Sequence, residues 1–332
     1  MHTVSRGSAV KDGAGKGSAA IFLLCSITFL LIVGVLATVW LTDSPTALKQ
    51  HITLQLQIPL IITAILVGSV LAVSGATLQI VLRNPLADPG IIGITSGASL
   101  VAATLLLLTP LWAQPYLHYI LPLGCFIGAL ITTFIIYRLA RKLLGSAVAV
   151  ILSGIAISTL SGAVIAWLYM FSDAQSLRNL TFWLMGSVYQ TTWPILWVSG
   201  PLIIGSLWYQ MGQSAKFNRL YAGDLAALSS GVHVQQLTER SLIATAVGVG
   251  AAVSIAGAIA FVGLLVPHIL RLILGHDNRL LLPASALCGA SLLLIVVLMS
   301  ELTRAITLPV SMITATLGGP LLIWALLKGQ LR

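Results

Sequence analysis

The chain has 332 residues, 58% of them hydrophobic and 8% charged, with a formal net charge of +9. A soluble domain holds roughly 25% charged residues, so this composition, with a mean hydropathy of +1.03, excludes an ordinary soluble domain and predicts a polytopic membrane protein. The positive charge is scattered between apolar stretches, which excludes a nucleic-acid-binding module, whose basic residues gather on one soluble face.

Residues 1–20, MHTVSRGSAVKDGAGKGSAA, are polar, basic and rich in Gly and Ser, and predict a flexible tail. A spanning helix needs about 20 mostly apolar residues, and ten windows of that length or slightly less follow: 21–41, 58–80, 91–109, 119–137, 146–170, 192–210, 241–260, 261–274, 281–300 and 310–327. The first lacks a small-x-small cleavage site and leads many further spans, so it reads as an uncleaved span rather than a signal peptide. The eighth is short, and its limits follow from placing Pro267 and the polar run GHDNR at 275–279. The expected fold is an all-α membrane protein of about ten transmembrane helices in a single domain over 21–328.

Between the second and third windows stands LRNPLADPGIIGITSGASL, 82–100. Asn84-Pro85 and Asp88-Pro89-Gly90 suit a compact turn, because Pro fixes φ, Asn and Asp bond nearby backbone, and Gly supplies a positive φ. Between the sixth and seventh windows, the loop 211–240 is too patterned for a plain connector. Leu220, Asp224 and Leu228 share a face at i, i+4, i+8, SSG at 229–231 ends that turn with Gly231 as the stop, and VHVQQLTER suggests a second short helix. Such helices offer another protein something to grip; the alternative, an amphipathic surface helix resting on lipid, is weakened by the scarcity of aromatic anchors.

Cytoplasmic loops keep the positive charge. With the N-terminus inside, Arg6, Lys11, Lys16, Arg83, Arg138, Arg141, Lys142, Lys216, Arg219, Arg240, Arg271, Arg279, Lys328 and Arg332 fall on one side, which is 14 of the 17 basic residues. Lys49, Arg178 and Arg304 fall on the other, beside Asp43, Asp173 and Glu301. Both termini are therefore expected in the cytoplasm.

Chemistry is absent from the pattern. No G-x-x-x-x-G-K-[ST] and no H-E-x-x-H occurs, so neither a nucleotide nor a metal is expected on this chain. Cys25, Cys125 and Cys288 lie in apolar segments without metal spacing and read as packing residues. The acids sit near loop borders, whereas ion-driven carriers generally need an intramembrane carboxylate or His relay. His268 is the exception at membrane depth; its plainer reading is an imidazole satisfied by a carbonyl that Pro267 frees. SGA at 74–76 with Pro85, and AGA at 256–258 with Pro267, share one spacing and suggest an inverted repeat of five plus five spans; the alternative is that small residues simply let helices pack closely.

Four stretches carry a resemblance: LAVSGATLQIVLRNPLADPGIIGITSGASL at 71–100, FWLMGS at 182–187, AIAFVGLLVPHILRLILGHDNRLLLPASALCGAS at 258–291 and LPVSMITATLGGPLLIWALL at 308–327. With them the chain, from about 55 to 328, resembles the iron-chelate and cobalamin permeases of bacterial ABC importers, which include vitamin B12, ferric-siderophore and haem permeases. The resemblance implies a permease domain in the bacterial inner membrane, two cytosolic ATPase subunits carrying the ATP, a periplasmic or lipid-anchored binding protein, and a second permease copy or paralogous permease. It makes RNPLADPG, with Asn84, Pro85, Asp88, Pro89 and Gly90, the cytoplasmic turn between the second and third spans. It also makes 211–240 the coupling loop, with Leu225, Leu228, Gly231 and Val232 on the ATPase.

Arg304, beside Glu301, matches an Arg that the family offers to the binding protein. The other usual Arg, before the second span, is missing, since Gln57 and Leu60 stand there; Lys49 or His51 is the expected compensation, or a non-identical partner permease carries that contact. Iron chelates dominate the family, so a ferric siderophore is the expected substrate, with haem or cobalamin as the alternatives. Outside the family, the competing readings are an ion-coupled secondary transporter and a membrane scaffold or enzyme.

Overall fold

The structure is a computed structural model that describes residues 5–41, 45–90, 92–142, 147–303 and 309–327. It is all-helical among those residues. The helices are α1 (Ser5–Trp40), α2 (Thr46–Ile52), α3 (Ile58–Val81), α4 (Ile94–Leu108), α5 (Leu117–Lys142), α6 (Ala147–Met170), α7 (Ala174–Leu184), α8 (Trp193–Gly212), α9 (Ser214–Tyr221), α10 (Asp224–Ser229), α11 (Val234–Ala256), α12 (Val262–Leu274), α13 (Asn278–Thr303) and α14 (Val310–Leu327). Each of the ten apolar windows finds a helix, in order α1, α3, α4, α5, α6, α8, α11, α12, α13 and α14. Among the described residues, six helical stretches are long and apolar enough to cross a membrane, and α4 and α12 are shorter apolar helices.

Helix α3 is the hub. Its side chains are buried almost all round from Pro59 to Val81, enclosed by α8, α11, α12 and α13. Between membrane helices there is no hydrophobic gain to drive association, so packing relies on close backbone approach through small residues. A Cβ at Gly68 would lie 2.2 Å from the carbonyl oxygen of Gly289 on α13, and one at Gly75 only 1.8 Å from that of Gly263 on α12. Large apolar side chains point outward instead: Phe29 and Leu30 on α1, Phe134 on α5 and Trp167 on α6 are more than half exposed, as lipid-facing surface requires.

Helix α12 is 13 residues long, about 20 Å at 1.5 Å per residue, short of the roughly 30 Å of a bilayer core, so the chain enters it at membrane depth. The entry segment 257–261 is irregular, and backbone at that depth needs partners from protein. Ser311 Oγ on α14 donates to Ala258 O at 2.8 Å and accepts from Ala260 N at 3.2 Å, and Thr314 Oγ1 donates to Ala260 O at 2.9 Å. Ser187 N bonds Ala256 O, while Val310 N and Ser311 N bond the carbonyls of Gly186 and Met185.

Three sequence expectations change. VHVQQLTER is not a separate helix but the first turns of α11, which therefore starts before 241. The helix α7 was not expected at all: Asp173 caps it, Oδ1 accepting from Gln175 N and Ser176 N at 2.9 and 3.0 Å. The small-residue landmarks of the repeat do not mark equivalent positions, because Gly75 lies inside α3 whereas Gly257, at φ 69°, terminates α11.

Candidate functional site

The loops that carry most of the basic residues meet at one end of the bundle, and the 211–240 segment covers that end. Helix α9 buries Phe217 and Leu220 in a cluster with Leu82, Ala227, Val232 and Leu237. Gly223, at φ 112°, breaks the chain before α10, since few L-residues tolerate that backbone. Leu220 thus does not share a helix with Asp224 and Leu228, as the i, i+4, i+8 spacing had implied. Helix α10 then ends in a Schellman motif: Gly231 N donates to Leu228 O and Val232 N to Ala227 O, both at 3.0 Å, with Gly231 at φ 78°. The expected stop at Gly231 is therefore where the structure places it.

This ending sorts the four residues expected at a partner surface. Leu225 is 84% exposed and Leu228 56% exposed, side by side on α10 with no protein over them. Gly231 is exposed at the tip. Val232 is 4% exposed and belongs beneath the surface, because the residue after the left-handed position folds back onto the helix.

Two ties hold α10 and α9 to the spans, and a third joins them to each other. Arg83 forms an ion pair with Asp224; Arg219 Nη1 donates to Ser230 O at 3.1 Å; and Asn218 is shared, its Nδ2 donating to Asp277 Oδ1 at 2.6 Å while its Oδ1 accepts from Asn278 N at 2.7 Å. These contacts connect α10 with the end of α3, and α9 with the start of α13. Sequence reasoning missed these partners, although the run GHDNR had stood out as polar.

The α3–α4 turn is built as its residues suggested, with one shift. Asn84 Oδ1 accepts from Leu86 N and Asp88 Oδ2 from Gly90 N, both at 2.9 Å. The positive φ falls at Arg83 (47°) and Gly93 (89°), not at Gly90. Arg83 closes α3 as Gly231 closes α10, with Arg83 N on Ile80 O and Asn84 N on Gln79 O. A left-handed arginine costs about 1–2 kcal/mol, and a half-exposed ion pair returns about 0–1 kcal/mol, so stability alone does not explain the residue. Arg83→Gly should leave thermal stability within about 1 kcal/mol of wild type while severing α10 from α3. If uptake in cells then stays at the wild-type level, the tie to Asp224 carries no signal.

Asp88 is only half-buried as a residue, but its carboxyl group is turned inward, with Oδ1 only 2.7 Å from where a Cβ of Gly263 would stand. Burial raises its pKa to about 6, partly offset by the Gly90 N–H. The folded protein holds this proton more tightly than the unfolded chain does, so the linked stabilisation is full below about pH 4 and is lost as pH rises through 6. Asp88→Asn keeps the acceptor for Gly90 and removes the buried charge, and should raise stability at pH 7.5 by about 1–3 kcal/mol, a gain that shrinks towards pH 4.5. A loss at every pH would instead mean that the first turn of α12 holds Asp88 as an anion.

At the opposite end, Arg304 lies outside the described residues, and Glu301 is half-buried near the end of α13. Gln57 points inward, Nε2 donating to Val35 O at 2.9 Å and Thr38 Oγ1 at 3.1 Å, and Leu60 is 6% exposed, so neither faces a partner. On α2, Lys49 is half-buried, its Nζ donating to Trp40 O at 3.2 Å, and His51 is exposed. His268 is not satisfied by a freed carbonyl: its Nε2 is buried without a partner, because the imidazole faces a cavity.

Residues 19–328 match the model of the FecCD transport family. The vitamin B12 import system permease protein BtuC of Vibrio cholerae is 38% identical over 316 residues, covering 93% of this chain and 92% of that protein. The hemin transport system permease protein HmuU of Yersinia pestis is 41% identical over 293 residues, covering 88% and 87%. A solved inward-facing conformation of a metal-chelate type ABC transporter aligns with a TM-score of 0.81 at 28% identity, over 93% of this chain and 99% of that one.

Proposed function

This chain belongs to the FecCD transport family, and we propose that it is the membrane-spanning permease of a binding-protein-dependent ABC importer for a metal chelate, with its basic end in the cytoplasm. The observation that carries the reading is α10. It presents Leu225 and Leu228 to solvent at the basic end while Asp224 at its start pairs with Arg83 at the end of α3, the arrangement needed to receive force from a soluble partner. That partner would be a pair of ATPase subunits, since this sequence has no phosphate-binding loop. A second permease, identical or paralogous, would complete the pathway, and a binding protein would dock at the opposite end near Arg304.

Closure of the ATPase pair would push α10, and through Arg83 and Asn218 the ends of α3 and α13, switching the bundle between outward- and inward-facing arrangements. The scarcity of charged side chains inside the spans suits a bulky cargo that must pass without being held. Ferric siderophores, haem and cobalamin all meet that description. Uptake of iron-55 as several siderophores and as haem, and of cobalt-57 cobalamin, should be compared in cells lacking and regaining this chain. Loss of one cargo, sensitive to vanadate, supports the reading; uptake that ignores vanadate and collapses with the ion gradient would replace it with a secondary transporter.

A further inference from the structure

A cavity of about 520 Å³ opens at the basic end between the last turn of α3, α9 and α12. It is not the face that α10 offers to a partner. Its wall holds two buried polar atoms without partners among the described residues, Gln79 Oε1 and His268 Nε2. Gln79 is 4% exposed, and its Nε2 is committed to the carbonyls of Gly263 and Leu264 at 3.5 and 3.4 Å, which fixes Oε1 as an acceptor awaiting a donor. Arg271 lines the same wall, spending one donor on Ala76 O at 3.3 Å, and a guanidinium has five. His276 stacks against Tyr221 at the rim, ring centroids 4.9 Å apart. The carboxylate beside this rim, Asp224, is already paired with Arg83.

Cationic and imidazole donors around one unfilled acceptor call for an anion that also carries a hydroxyl. The neighbouring surface of α12 is apolar and outward-facing, with Leu272 47% and Ile273 70% exposed. A basic pocket between helices at the cytoplasmic level, continuous with apolar surface, is suited to a lipid headgroup. We propose that this cavity binds an anionic phospholipid of the inner leaflet whose headgroup bears a free hydroxyl, such as phosphatidylglycerol. The phosphate meets Arg271 and His268, the headgroup hydroxyl donates to Gln79 Oε1, and the acyl chains lie along Leu272 and Ile273. The site does not depend on the transport reading, since it needs only the membrane.

The full-length chain, purified and delipidated in detergent, would be titrated with dioleoyl-phosphatidylglycerol, dioleoyl-phosphatidylcholine or sn-glycerol 3-phosphate. Melting temperature would be followed and retained lipid counted by native mass spectrometry. Phosphatidylglycerol should raise the melting temperature and remain bound, and phosphatidylcholine should do neither. Arg271→Gln and His268→Leu should each weaken the phosphatidylglycerol effect about tenfold, as expected for a lost charge-assisted bond. Arg271→Gln also loses the bond to Ala76, so His268→Leu is the test should that variant fail to fold. Equal responses to both lipids would overturn the proposal. A response to glycerol 3-phosphate as large as that to the lipid would make this a soluble-phosphate site and overturn the lipid assignment. Phosphatidylglycerol binding unchanged in His268→Leu would place the lipid elsewhere and overturn it as well.

Discussion

Gly75→Ala is expected to leave little folded protein. The added Cβ would stand 1.8 Å from the carbonyl oxygen of Gly263, and neither side can yield by rotating a side chain, because both residues are glycines. Helix α3 would have to retreat from α12 by roughly 1.5 Å to regain van der Waals separation, yet α3 is also clamped by α13 through Gly68 and Gly289. The cost should exceed about 3 kcal/mol, the upper end of ordinary overpacking. Gly162→Ala on α6 and Gly205→Ala on α8 are the matched controls, since a Cβ at either meets nothing within 4 Å. These should gain up to about 1 kcal/mol from helix propensity. The recovery of monodisperse protein and the unfolding midpoint in a denaturing detergent would be compared. A Gly75→Ala protein that unfolds like the controls would show that α3 and α12 are not in close contact.

The second large effect is expected from Leu225→Asp combined with Leu228→Asp. Both side chains are exposed, so the chain should fold within about 0.5 kcal/mol of wild type. If α10 is the surface an ATPase grips, two hot-spot leucines replaced by carboxylates should weaken association about 30-fold or more, and uptake should fall to background. Val232→Ala is the informative contrast. It removes buried methyl groups beneath the Schellman motif, costing about 1.5 kcal/mol of stability, while the protein that folds should still bind the ATPase. Co-purification with the ATPase and uptake would be measured on the same variants. Full uptake by the double aspartate variant would take the coupling role away from α10.

The spans were readable because a bilayer imposes length and apolarity together, and few other signals look like 20 oily residues in a row. What escaped was everything set by packing between distant segments. Helix α7 is amphipathic and short, so no hydropathy window exposes it, although Asp173 followed by Gln175 and Ser176 is a legible cap. The spacing of Leu220, Asp224 and Leu228 was helical, but Gly223 divides it, and only a backbone can show that its φ is 112°. Gly231 was readable as a stop because left-handed closure favours glycine, whereas Arg83 performs the same closure with a residue that gives no warning. Val232 was expected at the partner surface from the family resemblance alone, and the fold-back that buries it is three-dimensional. The pairing of Arg83 with Asp224 joins positions 141 apart, and no local pattern marks it.

The hydroxyls of Ser311 and Thr314 do for residues 258–260 what water does for a surface loop, and they do it from a different helix. Together with the bonds from 185–187 to the end of α11 and the start of α14, they fasten three remote parts of the chain into one block. Sliding these pieces past one another would break all of those bonds together, and each backbone group set free would need a new partner. A rearrangement that keeps the bonds carries the end of α7, the entry to α12 and the start of α14 as a single rigid body, with its hinge elsewhere in the chain.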